Sequence, residues 1–205
     1  MKEQELRKHA STEFPVIDLI TKRWSPRAFS HKPILKQDLN TLFEAASWAA
    51  SSRNEQPWRY IYAIRKNREE FDRIHSCLTE GNQDWTIDAP VLMICLAEKL
   101  FSETGKVNPH SQHDLGSANT TLLLQARSMH IFGHMMAGFK KEKTIETFHI
   151  PNHLEPVCFM ALGYLGNART LNDKNLESEL SSRKRKKIEK FAFEGKLPGV
   201  SLGGG

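Results

Sequence analysis

The stretch AASSRNEQPWRYIYAIRKN, residues 49–67, sets the problem that the rest of the chain must answer. Its front half is small and polar: Ala49, Ala50, Ser51, Ser52, Arg53, Asn54, Glu55, Gln56. Its back half, Tyr60 to Ile64, reads as a strand. Helix capping and the ordering of a turn at Pro57 account for one or two of these polar residues. They do not readily account for four within six positions, Ser51, Ser52, Asn54 and Gln56. Hydroxyls mixed with amides offer uncharged donors and acceptors together, which suits ring carbonyls and polyol hydroxyls.

Around this turn, elements of both kinds are expected. Pro15 to Lys22 suits a short helix, with apolar residues at 16, 17, 19 and 20. RWSPRAFSHKPI follows as a loop punctuated by Pro26 and Pro33. Lys36 to Ser47 carries Leu39, Leu42, Phe43 and Ala46 on one helical face. The small residues near its end, Ala45, Ala46, Ala49 and Ala50, imply close packing against another backbone. Arg59 to Ile64 reads as a strand, Asn67 to Leu78 as a helix, and VLMICLA after Pro90 as a strand buried on both faces. Residues 101–113 look irregular. Leu115 to Met129 is a strong helix, Gly133 a break, HMMAGF a loop, and Lys141 to Phe148 a further helix. PVCFMALG, 156–163, reads as another buried strand, and Ile188 to Phe193 as strand-like. Helices and strands are interspersed without strict βαβ alternation, so the reading is a single α+β domain over residues 1–205. A dinucleotide-binding GxGxxG fingerprint and a P-loop are absent from the sequence.

Composition narrows the function classes. With 205 residues, 39% hydrophobic and 26% charged, the chain is long enough to bury a sizeable core. No run approaches the roughly 18 apolar residues that a membrane span requires, and MKEQELRKHASTEF carries no apolar h-region, so no secretory leader is expected. Cys77, Cys95 and Cys158 are few, odd in number and far apart in sequence, which argues against a disulfide framework or a thiolate metal site and for a reducing cytoplasm. No histidine pair has metal-ligand spacing; His110 and His113 come nearest and read as a solvated loop. The net charge of +5 is concentrated in SSRKRKKIEK, residues 181–190. Such a run admits nucleic acid, a membrane surface or a phosphorylated small molecule as partner.

Three further stretches bear on chemistry. In RWSPR, Arg23, Ser25 and Arg27 fall on one side of an extended backbone, and two guanidiniums beside a hydroxyl make a clamp for a phosphate or carbonyl. A solvated loop with scattered arginines explains the segment equally well. In HMMAGF, Gly138 beside Ala137 lets a backbone approach a flat ligand, although a plain turn with core methionines also fits. Arg183 and Arg185 stand two apart in the basic run, which taken alone is a solvated face.

Together these stretches resemble the nitroreductase family of flavoproteins. The matching segments are RWSPRAFSHKPI, AASSRNEQPWRYIYA with the helix before it, EGNQDWTIDAPVLMI, DLGSANTTLLLQA, HMMAGF, EPVCFMALGYLG and SRKRKKIEKFAFEGK, running from about Asp18 to Lys196. The resemblance implies an α+β sandwich whose mixed, mainly antiparallel sheet is flanked by helices. It implies an interlocked homodimer whose C-terminal segments, from about residue 170, wrap the partner. It also implies non-covalent FMN at the dimer interface and NAD(P)H as co-substrate. Arg23, Trp24, Ser25 and Arg27 match the motif that holds the phosphate and reaches the pyrimidine end of the flavin. Arg183 and Arg185 match the basic pair that closes on that phosphate. Ser51, Ser52, Asn54 and Gln56 match the turn laid against the flavin by the second subunit. Asn82 falls where an amide at the ring edge is expected, and Met135, Met136, Ala137 and Gly138 on the loop facing N5. The resemblance implies hydride transfer to nitroaromatic, quinone or related acceptors by ping-pong kinetics, with no catalytic side chain and no metal. Arg53, Met135 and Lys140 depart from the residues common in the family near the site mouth and bear on acceptor choice. A flavin-binding relative with another activity (dehalogenation, flavin processing or regulation) is the alternative. A nucleic-acid module built on RKRKK ranks below both, because the run is short and has no interleaved aromatics.

Overall fold

A computed structural model describes residues 2–198. Among the described residues, eight α-helices and four strands follow in the order α1 (Lys2–Lys8), α2 (Asp18–Lys22), α3 (Lys36–Ser47), β1 (Trp58–Ile64), α4 (Arg68–Ser76), α5 (Glu80–Thr86), β2 (Val91–Glu98), α6 (Ser111–Ser128), β3 (Phe132–Met136), α7 (Lys141–Phe148), β4 (Leu154–Gly163) and α8 (Asp173–Leu180). The strands form one sheet in the order β1-β2-β4-β3. Every pairing is antiparallel, so the sheet is not mixed among the described residues.

The strand period of two divides the core into two layers. Leu92, Ile94 and Leu96 of β2 and Phe159 and Ala161 of β4 meet Phe71 and Ile74 of α4 and Trp85 of α5. On the opposite face, Val91, Met93 and Cys95 of β2 and Met160 and Leu162 of β4 meet Leu39 and Leu42 of α3 and Leu115, Ala118 and Leu122 of α6. Because β2 is covered on both faces, it reads in sequence as an unbroken apolar run.

Several elements differ from the sequence reading. HMMAGF is not wholly a loop, since His134, Met135 and Met136 belong to β3. Gly133 is no break: a Cβ there would lie 2.2 Å from the Leu123 side chain and 2.9 Å from that of Leu162, so glycine is what lets α6 close on the sheet. Helices α1, α5 and α8 arise where none was assigned. The segment Ile188 to Phe193 is no strand. Ile188–Lys190 forms a 3-10 turn, and Phe191 after it is exposed. The expectation for the C-terminal segment extends to residue 205, and positions 199–205 lie outside the described residues.

Gly133→Ala is expected to destabilise the fold by about 1–3 kcal/mol through overpacking, because both leucines it would strike are buried. A lowered urea midpoint at unchanged slope checks this.

Candidate functional site

The loop after α2 alternates as an extended backbone should. Trp24, Pro26 and Ala28 are buried, while Arg23, Ser25 and Arg27 are half-buried on the other side. Arg23 Nη1 donates to Ser25 Oγ at 3.4 Å. Trp24 lies in the core, edge-on to Phe132 at 6.1 Å, and its indole N–H has no partner. Glu179 of α8 fastens the loop: its carboxylate accepts the backbone N–H of Arg27 at 2.9 Å and of Ala28 at 3.3 Å, and the Gln4 amide at 3.0 Å. Burial pushes the Glu179 carboxyl up, against the pull of those donors.

Beyond α8 the chain returns to the same loop. Arg183 donates to the carbonyls of Thr21 and Arg23, and its buried Nε has no partner. The Arg23 guanidinium is lowered by burial and then by Arg185; Arg183 is lowered by burial, then by Arg23 and Arg185. Three cations from distant stretches therefore converge. No ion pair to a carboxylate is formed by Arg23, Arg27, Arg183 or Arg185 among the described residues. His134 of β3 joins them from beneath. Its Nδ1–H donates to the Pro26 carbonyl at 2.9 Å, and its ring packs 4.7 Å from that of Trp85. Burial, followed by Arg27 and Arg23, lowers its pKa to about 4.

A second group forms around Gly138. Its carbonyl accepts from the Thr79 N–H at 3.1 Å, the Thr79 hydroxyl at 3.0 Å and the Asn82 amide at 2.9 Å. A Cβ at Gly138 would lie 2.7 Å from the Asn82 nitrogen, so here glycine makes room for Asn82. Met136 is buried, whereas Met135 and Ala137 are exposed.

The turn at 51–56 is a third group. Arg53, Asn54 and Gln56 have φ of 55°, 57° and 53°, a left-handed region that costs a non-glycine residue about 1–3 kcal/mol. Asp114, buried in the first turn of α6, accepts the Ser52 N–H at 2.9 Å, and Ser51 Oγ accepts that of Gln56 at 3.1 Å. No hydrogen bond or ion pair joins this turn to the basic cluster within the chain among the described residues. Sequence reasoning missed Glu179, His134 and Asp114. Glu179 follows Leu176 by about one helical turn, which places it on the inner face of α8 and is the one signal it carried.

The family model described as "Nitroreductase family" matches residues 20–164. A protein of Archaeoglobus fulgidus, provisionally named NADH dehydrogenase/NAD(P)H nitroreductase, is 26% identical over 154 residues, covering 72% of this chain and 84% of that one. A solved structure described as an oxidoreductase containing FMN superposes with a TM-score of 0.88 at 34% identity, covering 94% of this chain and 98% of that chain. An FMN-dependent nitroreductase from Clostridium difficile R20291 shares the fold, with a TM-score of 0.67 at 20% identity, covering 88% of this chain and 100% of that one.

His134 gives the fold a pH dependence with a defined sign. Its folded pKa of about 4 lies below the ordinary 6.5, so the unfolded chain binds the extra proton as pH falls between the two. Stability is retained above 6.5 and falls by up to about 3 kcal/mol on the way to pH 4. His134→Gln is expected to flatten that part of the profile, as read by urea unfolding at stepped pH.

Proposed function

Because this chain belongs to the nitroreductase family, we propose that it is an oxidoreductase that binds FMN between two copies of itself and passes electrons from NAD(P)H to nitroaromatic, quinone or related electron-poor acceptors. The observation that carries this reading is the convergence of Arg23, Arg183 and Arg185, unpaired with any carboxylate among the described residues, beside a buried Arg183 N–H that lacks an acceptor. A phosphate dianion fits that donor set in charge and in hydrogen-bonding capacity. When bound, the flavin supplies the redox chemistry, so the chain needs neither a nucleophile nor a metal.

The chain's own residues then have distinct tasks. Arg23, Arg183 and Arg185 hold the phosphoryl end. Ser25 orients Arg23, and Arg27 places positive charge toward the pyrimidine end. Trp24 packs behind them. Thr79 and Asn82 fix the Gly138 carbonyl and so set the segment from Met135 through Gly138 along the ring. The second copy contributes Ser51, Ser52, Asn54 and Gln56. Nicotinamide and acceptor occupy one slot in turn, which gives ping-pong kinetics.

Exposed apolar side chains support the pairing of two copies. Phe14, Ile17 and Ile20 in and before α2 are exposed, as are Phe191 and Leu197 in the tail, and Trp48 is 80% exposed. Phe14, Ile17 and Ile20 lie within seven positions of one another, and large apolar side chains gathered in water are what a partner surface covers. The tail from about residue 170 is the segment assigned to wrapping the partner.

The pure protein should be yellow, sediment as a dimer and bleach on anaerobic titration with NADH or NADPH. A protein that remains colourless after addition of FMN overturns the reading. Arg185→Gln should weaken FMN binding by about 10-fold or more. The fold should be spared, since Arg185 is exposed and its one side-chain hydrogen bond goes to the neighbouring Lys184 carbonyl.

A further inference from the structure

Within the layer between the sheet and helices α3 and α6, one row of side chains is not apolar. Tyr60 of β1 stands opposite Cys95 of β2, and Cys95 stands opposite Cys158 of β4. Asn119 of α6, buried, bridges them from below: its Oδ1 accepts the Tyr60 hydroxyl at 2.9 Å, and its Nδ2 approaches Cys158 Sγ at 3.6 Å. The proposed flavin site uses none of these groups.

Directly opposed residues of an antiparallel pair have Cα atoms about 4.5–5.5 Å apart, inside the about 4.4–6.8 Å range of a disulfide. Both thiols are free, and both belong to the same core layer. The ladder slips between Cys95 and Leu96, leaving Val157 as the extra residue beside Cys158. A bulge there gives β4 local freedom to adjust. The two sulfurs also differ. Cys95 is fully buried, whereas Cys158 is half-buried. Cys158 is therefore the more accessible of the two to a reagent from solvent.

We infer that Cys95 and Cys158 form an oxidisable dithiol, which a hydroperoxide converts into a disulfide between β2 and β4. The Cys158 thiolate attacks hydrogen peroxide: the O–O bond breaks, an S–O bond forms, and the departing hydroxide takes up a proton to become water. Cys95 then gives up its proton and attacks the Cys158 sulfur. The S–S bond forms, the S–O bond breaks, and a second water leaves. Two thiols are oxidised and one peroxide is reduced to two waters. Cys77 takes no part, because it lies in the opposite core layer with its thiol donating to the Arg73 carbonyl at 3.5 Å.

The test treats the reduced full-length protein with hydrogen peroxide, blocks remaining thiols with an alkylating agent and maps peptides by mass spectrometry without reduction. The expected result is a Cys95–Cys158 linked peptide with Cys77 alkylated, reversed by dithiothreitol and retained in Cys77→Ser. In Cys95→Ser the link is lost, and Cys158 is trapped as sulfenic acid by dimedone. Recovery of Cys95 alkylated beside Cys158 carried on to sulfinic acid overturns the inference. So does a link between Cys158 residues of two copies, or a link that appears only after denaturation.

Discussion

The placement of the basic cluster depends on one buried carboxylate, Glu179. Glu179 is 1% exposed, and burying an ionised carboxylate is costly unless its oxygens are satisfied. Here they are satisfied by the Arg27 and Ala28 N–H groups and by Gln4. That arrangement ties α1, the loop at 23–28 and α8 together, and it fixes which side of the loop faces outward. The alternation that exposes Arg23, Ser25 and Arg27 is thus held from behind. Arg183 adds a second tie through the carbonyls of Thr21 and Arg23. Without these ties, mutual repulsion would drive the arginines apart.

The strained turn at 51–56 follows the same logic on another element. The turn carries three non-glycine residues in the left-handed region and is tied down by Asp114, which accepts the Ser52 N–H, and by Ser51, which accepts that of Gln56. Asp114 stands where the positive end of the α6 dipole favours a carboxylate. The backbone of the turn is consequently fixed within the chain itself. For the flavin contact proposed above, such preorganisation lowers the entropic cost of binding, which is a reason to maintain strain in a turn whose Arg53, Asn54 and Gln56 are exposed.

Much of this was legible in sequence where the signal is local. Helix α3 falls on the boundaries that its apolar spacing marks, and β2 is the continuous apolar run that follows Pro90. The RWSPR alternation followed from period-two geometry. What was not legible depends on partners remote in sequence. Gly133 looks like a breaker until Leu123 and Leu162 are placed beside it. Ile188 to Phe193 has the composition of a strand but pairs with no strand of its own chain among the described residues. Glu179 reads as one more charge on a polar helix until the loop's N–H groups are brought to it.

The cysteines show the same limit from the other side. Their separation in sequence argues against a disulfide framework, and in the fold all three are free. Yet the β2–β4 register sets Cys95 and Cys158 face to face. An antiparallel register is a long-range instrument: it is chosen by the apolar pattern of both strands, since a slip of one residue would turn every core side chain outward. The position of the two thiols is therefore as firmly specified as that of Met93 or Met160, although nothing near either cysteine in the sequence announces it.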